Sequence, residues 1–124
     1  MFQIEALDHV ALHVQDLQQS IYWYQSVLGM EQRTQYQDTT GHGNPVEMRT
    51  GGVGIALFPS SPEQPVQRFD GHIAMRLTQA NFEQAQAHLR QLGIDFWLVH
   101  YTRCDGIYFN DPNGYQIELS TWFQ

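Results

Sequence analysis

Two histidines and one glutamate stand at places in this sequence where their side chains could bind one metal ion. His9 occurs in Leu-Asp-His-Val-Ala-Leu and His72 in Asp-Gly-His-Ile-Ala-Met, while Glu118 lies between two apolar residues near the end of the chain. Two imidazoles and one carboxylate suit Fe(II), Mn(II), Ni(II), Co(II) or Zn(II) and leave coordination positions open for a substrate. Such a set is typical of a catalytic rather than a structural metal site.

Each histidine begins a segment with the same order of local signals, which indicates an internal repeat. An amphipathic stretch follows each one, and both stretches carry helix start and stop signals. Asp16, with glutamine three residues later, is predicted to cap the first helix, and Gly29 to end it. Asn81, again with glutamine three residues later, is predicted to cap the second helix, and Gly93 to end it.

Short alternating or apolar runs punctuated by glycine follow each helix and predict strands. They cover about 30–38, 46–51 and 53–58 in the first half, and about 95–102, 106–110 and 115–121 in the second. The predicted class is therefore α+β: two βαβββ modules forming curved, cupped mixed sheets with the helices outside. We expect a single domain over 1–124, with module one at 1–60, a linker at about 59–69 and module two at 70–124. A further loop is expected over 38–45.

Strand alternation places the three candidate ligands on one face of the predicted sheets. Val10 and Leu12 should pack under the helix, which turns His9 to the opposite face. The same alternation turns His72 and Glu118 to the equivalent face in the second half. A buried carboxylate without a partner costs several kcal/mol, so Glu118 needs one. A single strand histidine is usually only a hydrogen-bonded side chain, but the repetition favours the ligand interpretation.

The remaining histidines are predicted to have other roles. His13 lies about 13 Å along the strand from His9 and cannot share an ion with it. His42, in a glycine-rich loop, and His88, on the second helix, are predicted to be solvated. His100 is expected near Tyr108 if their strands pair, where it could be a general acid or base. It could equally be an ordinary edge-strand histidine.

Composition limits the partners and the compartment. Six Lys and Arg against thirteen Asp and Glu give a formal net charge of −7, which disfavours nucleic acid and anionic membranes as partners. Cys104 is the single cysteine and is predicted to be an inert packing residue. Because one cysteine cannot form an intrachain disulfide, and the sequence has no long apolar run and no signal-like start, a cytoplasmic location is expected. Four aromatic residues could line a pocket for a planar ligand or belong to the core: Trp23, Trp97, Tyr101 and Phe109.

Four segments together resemble the vicinal oxygen chelate superfamily, which includes glyoxalase I, extradiol dioxygenases, fosfomycin-resistance thiol transferases and bleomycin-binding proteins. These segments are 7–14, 20–30, 71–74 and 107–119, so the resemblance spans the chain. It implies a divalent metal at His9, His72 and Glu118, and a substrate that chelates the ion through neighbouring oxygens. It also implies that Tyr108 contacts this substrate and that the protein is a homodimer, with each site completed within one chain or across two.

Three positions differ from particular members of that superfamily. Ala56 stands where glyoxalase I has a fourth, glutamate ligand, Ala11 stands where fosfomycin enzymes have threonine, and apolar residues 96–99 lie where those enzymes have a lysine. The leading prediction is a metal-dependent enzyme resembling extradiol dioxygenases. The alternatives are a glyoxalase I-like lyase or isomerase and a non-enzymatic small-molecule-binding protein of the bleomycin-resistance type.

Overall fold

The computed structural model describes residues 1–33 and 45–123. The chain divides into two compact units, Met1–Gln67 and Arg68–Gln124. Residues 34–44 lie outside the described part. They include His42, the end of the strand predicted over about 30–38 and most of the loop predicted over 38–45. Among the helices of the described residues, none has the length and apolar character needed to cross a membrane.

The first unit is one four-stranded mixed sheet with one helix. Its elements are β1 (His9–Val14), α1 (Leu17–Leu28), β2 (Glu31–Arg33), β3 (Val46–Thr50) and β4 (Val53–Pro59). The strand order is β1-β4-β3-β2, with β1 parallel to β4 and the other pairs antiparallel.

The second unit repeats this topology. Its elements are β5 (Ile73–Arg76), α2 (Gln79–Gln91), β6 (Trp97–His100), β7 (Cys104–Asn110) and β8 (Gln116–Trp122). The order is β5-β8-β7-β6, with β5 parallel to β8 and the other pairs antiparallel. The predicted α+β class, with a β-α-β-β-β order in each half, is therefore confirmed.

Helix α1 has the predicted caps. The Asp16 side chain accepts a hydrogen bond from the Gln19 backbone N–H at 3.0 Å, and Gly29 has φ 66°, the left-handed conformation that ends a helix readily only at glycine. Ile21 and Tyr24 are buried on the face that packs on the sheet. The cap and the apolar spacing are both local features, which explains why the sequence predicts this helix well.

Helix α2 begins earlier than predicted, and the assignment of Asn81 as its cap is wrong. Thr78 is extended, with φ −67° and ψ 161°, and its hydroxyl accepts a hydrogen bond from the Asn81 N–H at 3.2 Å. Asn81 thus lies in the first turn as the donor to the cap. The capping interaction links a side-chain oxygen to an N–H three residues later, so either residue satisfies the sequence pattern until the helix start is known.

Replacing Thr78 tests whether it is the N-cap of α2. We expect Thr78→Ala to lower the free energy of unfolding by about 1 kcal/mol, because the Asn81 N–H loses its acceptor. Asn81→Ala keeps that N–H and should cost clearly less. Urea unfolding of both variants measures the difference; an equal or larger loss for Asn81→Ala would contradict the assignment.

One face of the second sheet packs into the core, and the other carries the candidate site residues. Ile107, Phe109 and Ile117 are fully buried and belong to the core. A row of residues crosses the sheet on the other face. Glu118 on β8 pairs with Ala74 on β5 and with Tyr108 on β7, and Tyr108 pairs in turn with Trp97 on β6. Strand alternation therefore gathers this row on one surface.

Candidate functional site

Glu118 and His72 meet on the second sheet. Glu118 lies in the middle of β8 and is 7% exposed, while His72 immediately precedes β5. His72 Nε2 lies 2.9 Å from Glu118 Oε1, which gives the buried carboxylate the partner it requires. The neighbour of Glu118 on β5 is Ala74, whose small side chain leaves this approach open.

This distance fits two ligands of one cation. An imidazole nitrogen and a carboxylate oxygen, each about 2.1 Å from a divalent ion and at right angles, are about 3 Å apart. The imidazole side chain of His72 is 39% exposed, so the pair is reachable from one side, while the carboxylate is held by the surrounding sheet. The residues present therefore suit a divalent metal with open positions.

Tyr108 forms the wall beside this pair. Its ring meets the His72 ring edge-on, with centroids 5.3 Å apart, and Trp97 stacks on it at 5.7 Å with an interplanar angle of 15°. Its hydroxyl lies 2.5 Å from that of Tyr101 and also hydrogen-bonds to Glu118. Trp97 and Tyr101 remain about half exposed, so an aromatic surface borders the carboxylate.

The surroundings of Tyr108 keep its phenol neutral. Burial of the ring raises its pKa well above the ordinary value, and the hydrogen bond with Tyr101 and the neighbouring Glu118 carboxylate act in the same direction. Tyr108 therefore keeps its proton at neutral pH, and this single O–H can turn from the Glu118 carboxylate to an oxygen placed beside the metal.

Gly106 on β7 provides the room for the carboxylate. A Cβ atom at this position would lie 2.5 Å from Glu118 Oε2 and 3.3 Å from its Cδ. Real Cβ contacts are not that short, so any larger residue would displace the carboxylate. Gly106 thus determines the position of Glu118 without contacting a ligand itself.

His9 has a different environment in the first unit. Its Nδ1 lies 2.8 Å from Asp8 Oδ2, and Arg49 Nη2 lies 3.0 Å from the same oxygen. Arg49 also donates to Glu47 Oε1 from Nη2 at 2.6 Å and from Nε at 3.0 Å. Glu47 is fully buried. One donor atom from each of Asp8, His9 and Glu47 lies within 4.8 Å of the others, which is a spacing that could hold a cation.

The sequence interpretation missed Asp8, Glu47 and Arg49. The internal repeat points to Glu47, because Glu47 on β3 has the position that Tyr108 has on β7. Glu47 pairs with Ala56 on β4, just as Tyr108 pairs with Glu118 on β8. A charged residue at the place of a buried tyrosine needs a partner, and the arginine two residues later on the same strand face supplies it.

The expected position of His100 beside Tyr108 is wrong. The register of β6 and β7 places Trp97 opposite Tyr108 and His100 opposite Asp105, three residues further along. His100 Nδ1 lies 2.7 Å from Asp105 Oδ1 on an exposed surface. Since residues 97 and 100 alternate onto opposite faces, a general acid or base role beside Tyr108 has no geometric support.

The structure thus joins three of the predicted site residues, His72, Glu118 and Tyr108, in the second unit, and places His9 in the first. Phe109 is a core residue, whereas Trp97 and Tyr101 border the site. His13 Nε2 lies 3.1 Å from Gln64 Oε1, and His88 is exposed on α2. Trp23 is half-buried on α1, and Cys104 is a buried free thiol.

The sequence model of the Glyoxalase/Bleomycin resistance protein/Dioxygenase superfamily matches residues 6–119. The chain belongs to this superfamily. The match runs from before β1 into β8 and therefore includes both units of the repeat. The resemblance to vicinal oxygen chelate proteins expected from the sequence is confirmed.

Individual members of the superfamily share sequence or fold with this chain. The glutathione transferase FosA of Serratia marcescens is 28% identical over 119 residues, covering 94% of this chain and 80% of that protein. A putative glyoxalase family protein from Bacillus anthracis has a TM-score of 0.82 at 19% identity, covering 98% of each chain. A mutant of the fosfomycin resistance protein FosX of Listeria monocytogenes, complexed with Mn(II) and 1S,2S-dihydroxypropylphosphonic acid, has a TM-score of 0.71 at 21% identity, covering 94% of this chain and 92% of that one. The structural likenesses show the shared fold.

Proposed function

We propose that this protein is a divalent-metal-dependent enzyme acting on a small molecule that binds the ion through two neighbouring oxygens. His9, His72 and Glu118 are the proposed ligands. The observation that carries the proposal is the 2.9 Å separation of His72 Nε2 and Glu118 Oε1, a distance suited to two ligands of one ion. The Mn(II) held by the FosX relative supports a divalent cation.

The surrounding side chains would have distinct roles toward the substrate. A bound divalent ion supplies a Lewis acid that lowers the pKa of a hydroxyl or stabilises developing negative charge on oxygen. Tyr108, which retains its proton, would turn its O–H from Glu118 to a substrate oxygen. Trp97 and Tyr101 exclude water on one side and offer flat surface to a planar substrate.

We further propose the type of reaction. The aromatic surface that Trp97 and Tyr101 form beside Glu118 favours a planar, aromatic diol, as in extradiol-type dioxygenation, over the smaller substrates of glyoxalase I-like chemistry. Ala56, which is 2% exposed, also offers no fourth carboxylate of the glyoxalase kind. Pure sequestration of the bleomycin-resistance type is less well supported, because it does not require a buried carboxylate positioned against an imidazole.

A second candidate reaction is thiol addition to fosfomycin, favoured by the identity with FosA. Ala11 and the partly exposed Leu98 oppose it, since neither can bind a phosphonate oxygen.

Protein purified without chelators should contain a divalent metal. We expect ring cleavage of a catechol with Fe(II) and dioxygen, and little turnover of a hemithioacetal, or of fosfomycin with glutathione and Mn(II). Ligand binding that is tight and unchanged after complete metal removal would contradict the enzyme proposal.

The proposal includes a homodimer in a reducing, cytoplasmic environment, which suits the free thiol of Cys104. Superfamily resemblance favours assembly in which His9 of one chain joins His72 and Glu118 of another. Two sites per dimer would then each require both chains.

Mixing two inactive variants tests this assembly. His9→Ala and His72→Ala should each lose tight metal binding alone. When unfolded together and refolded, half of the random dimers are mixed, and each mixed dimer has one intact site, so we expect about one quarter of the wild-type content of tightly bound Mn(II). No recovery on mixing would show that each site is completed within one chain.

A further inference from the structure

The side chains behind His9 form a continuous polar network from the protein interior to the imidazole. Glu47 is fully buried and holds the guanidinium of Arg49, which in turn holds Asp8 Oδ2. The same Asp8 oxygen contacts His9 Nδ1 at 2.8 Å. Gly54 makes space for the network, because a Cβ there would lie 2.8 Å from Arg49 Nη2 and 2.9 Å from Glu47 Oε1.

Each member contributes something that the others lack. The Asp8 side chain is 63% exposed, and an exposed carboxylate alone holds a histidine weakly. The Arg49 side chain is only 17% exposed and donates to both the Asp8 carboxylate and the Asp8 backbone carbonyl. Because its other contact is a buried carboxylate on the same sheet, Arg49 fixes Asp8 to the rigid part of the unit.

Contact with Asp8 selects the protonation pattern of His9. A carboxylate at Nδ1 favours a proton on that nitrogen, so that Nε2 becomes the metal-binding atom. Two carboxylates and one guanidinium also leave a net negative charge behind the imidazole, which favours a cation on its far side. The network thus fixes the orientation of the ring and directs Nε2 away from Asp8.

We propose that Asp8, held by Arg49 and Glu47, is the positioning residue that presents Nε2 of His9 to the metal. This inference rests on the proposed function, in which His9 is a ligand. The alternative, that Asp8, His9 and Glu47 bind an ion of their own, is less consistent with the contacts of Arg49. Its Nη2 already bridges the two carboxylates, in the place that such a cation would take.

Calorimetric titration with Mn(II) tests the assignment. Asp8→Asn should weaken affinity about 10-fold, the lower end of the range for lost outer-shell partners, with an unchanged thermal unfolding midpoint because Asp8 is exposed. Arg49→Lys should give a smaller loss, since lysine retains the charge without the fork. Asp105→Asn is the control, because this carboxylate also contacts a histidine Nδ1, that of His100 at 2.7 Å, on the opposite face of β7 from Tyr108, and it should leave affinity unchanged.

Three further measurements distinguish failure of the proposed function from failure of the positioning role. If His9→Ala leaves Mn(II) affinity unchanged, His9 is not a ligand and the proposed function fails there. If His9→Ala weakens binding and Asp8→Asn does not, only the positioning role is wrong. Two Mn(II) per chain in the wild type, falling to one in Glu47→Gln, would show instead a separate cation site. With Co(II), the visible absorption spectrum should change in Asp8→Asn and not in Asp105→Asn.

Discussion

Glu118→Gln is expected to weaken divalent metal binding more than about 100-fold while leaving the fold as stable as before. The amide keeps the size and shape of the side chain but removes the negative charge that the ion requires. The carboxylate is almost fully buried, and its desolvation is offset by His72 and by the hydrogen bond of Tyr108. A neutral amide at this place avoids that desolvation cost, so the free energy of unfolding of the metal-free protein should change by less than about 1 kcal/mol.

Metal titration and urea unfolding of the same samples distinguish a ligand from a structural residue. Glu83→Gln, an exposed change of the same chemistry on α2, is the control and should alter neither quantity. A structural role for Glu118 would give the opposite pattern, with unfolding strongly affected and metal affinity retained.

Gly106→Ala is expected to lower metal affinity about 10- to 100-fold through a single added methyl group. The new Cβ would lie 2.5 Å from Glu118 Oε2, and β7 cannot move away easily because it pairs with strands on both sides. The carboxylate must therefore rotate away from His72. Overpacking should also cost about 1–3 kcal/mol of stability.

The matched control for this change is Gly52→Ala, where an added Cβ meets nothing within 4 Å and the backbone conformation accepts alanine. It should preserve both metal affinity and catalytic rate. Isothermal titration with Mn(II) on folded Gly106→Ala, verified by circular dichroism, provides the measurement. Wild-type affinity in this variant would mean that Glu118 tolerates displacement and is not a ligand of the ion.

The sequence by itself determined the repeated unit and the sheet face that His72 and Glu118 share. The order of elements follows from apolar spacing and glycine stops, and the cap at Asp16 acts within three residues. Strand alternation turned His72 and Glu118 to one face without knowledge of the fold. The expected need of Glu118 for a partner also follows from the cost of burying a charge between Ile117 and Leu119.

The tertiary structure decided what depends on register and on contacts between distant residues. Strand pairing set Trp97, rather than His100, opposite Tyr108, because a shift along β6 changes both the partner and the face. The same kind of distant contact brought Arg49 to Asp8 and placed Gly106 under the carboxylate. Alternation along one strand says nothing about where the neighbouring strand begins, so these contacts arise only when the sheet is assembled.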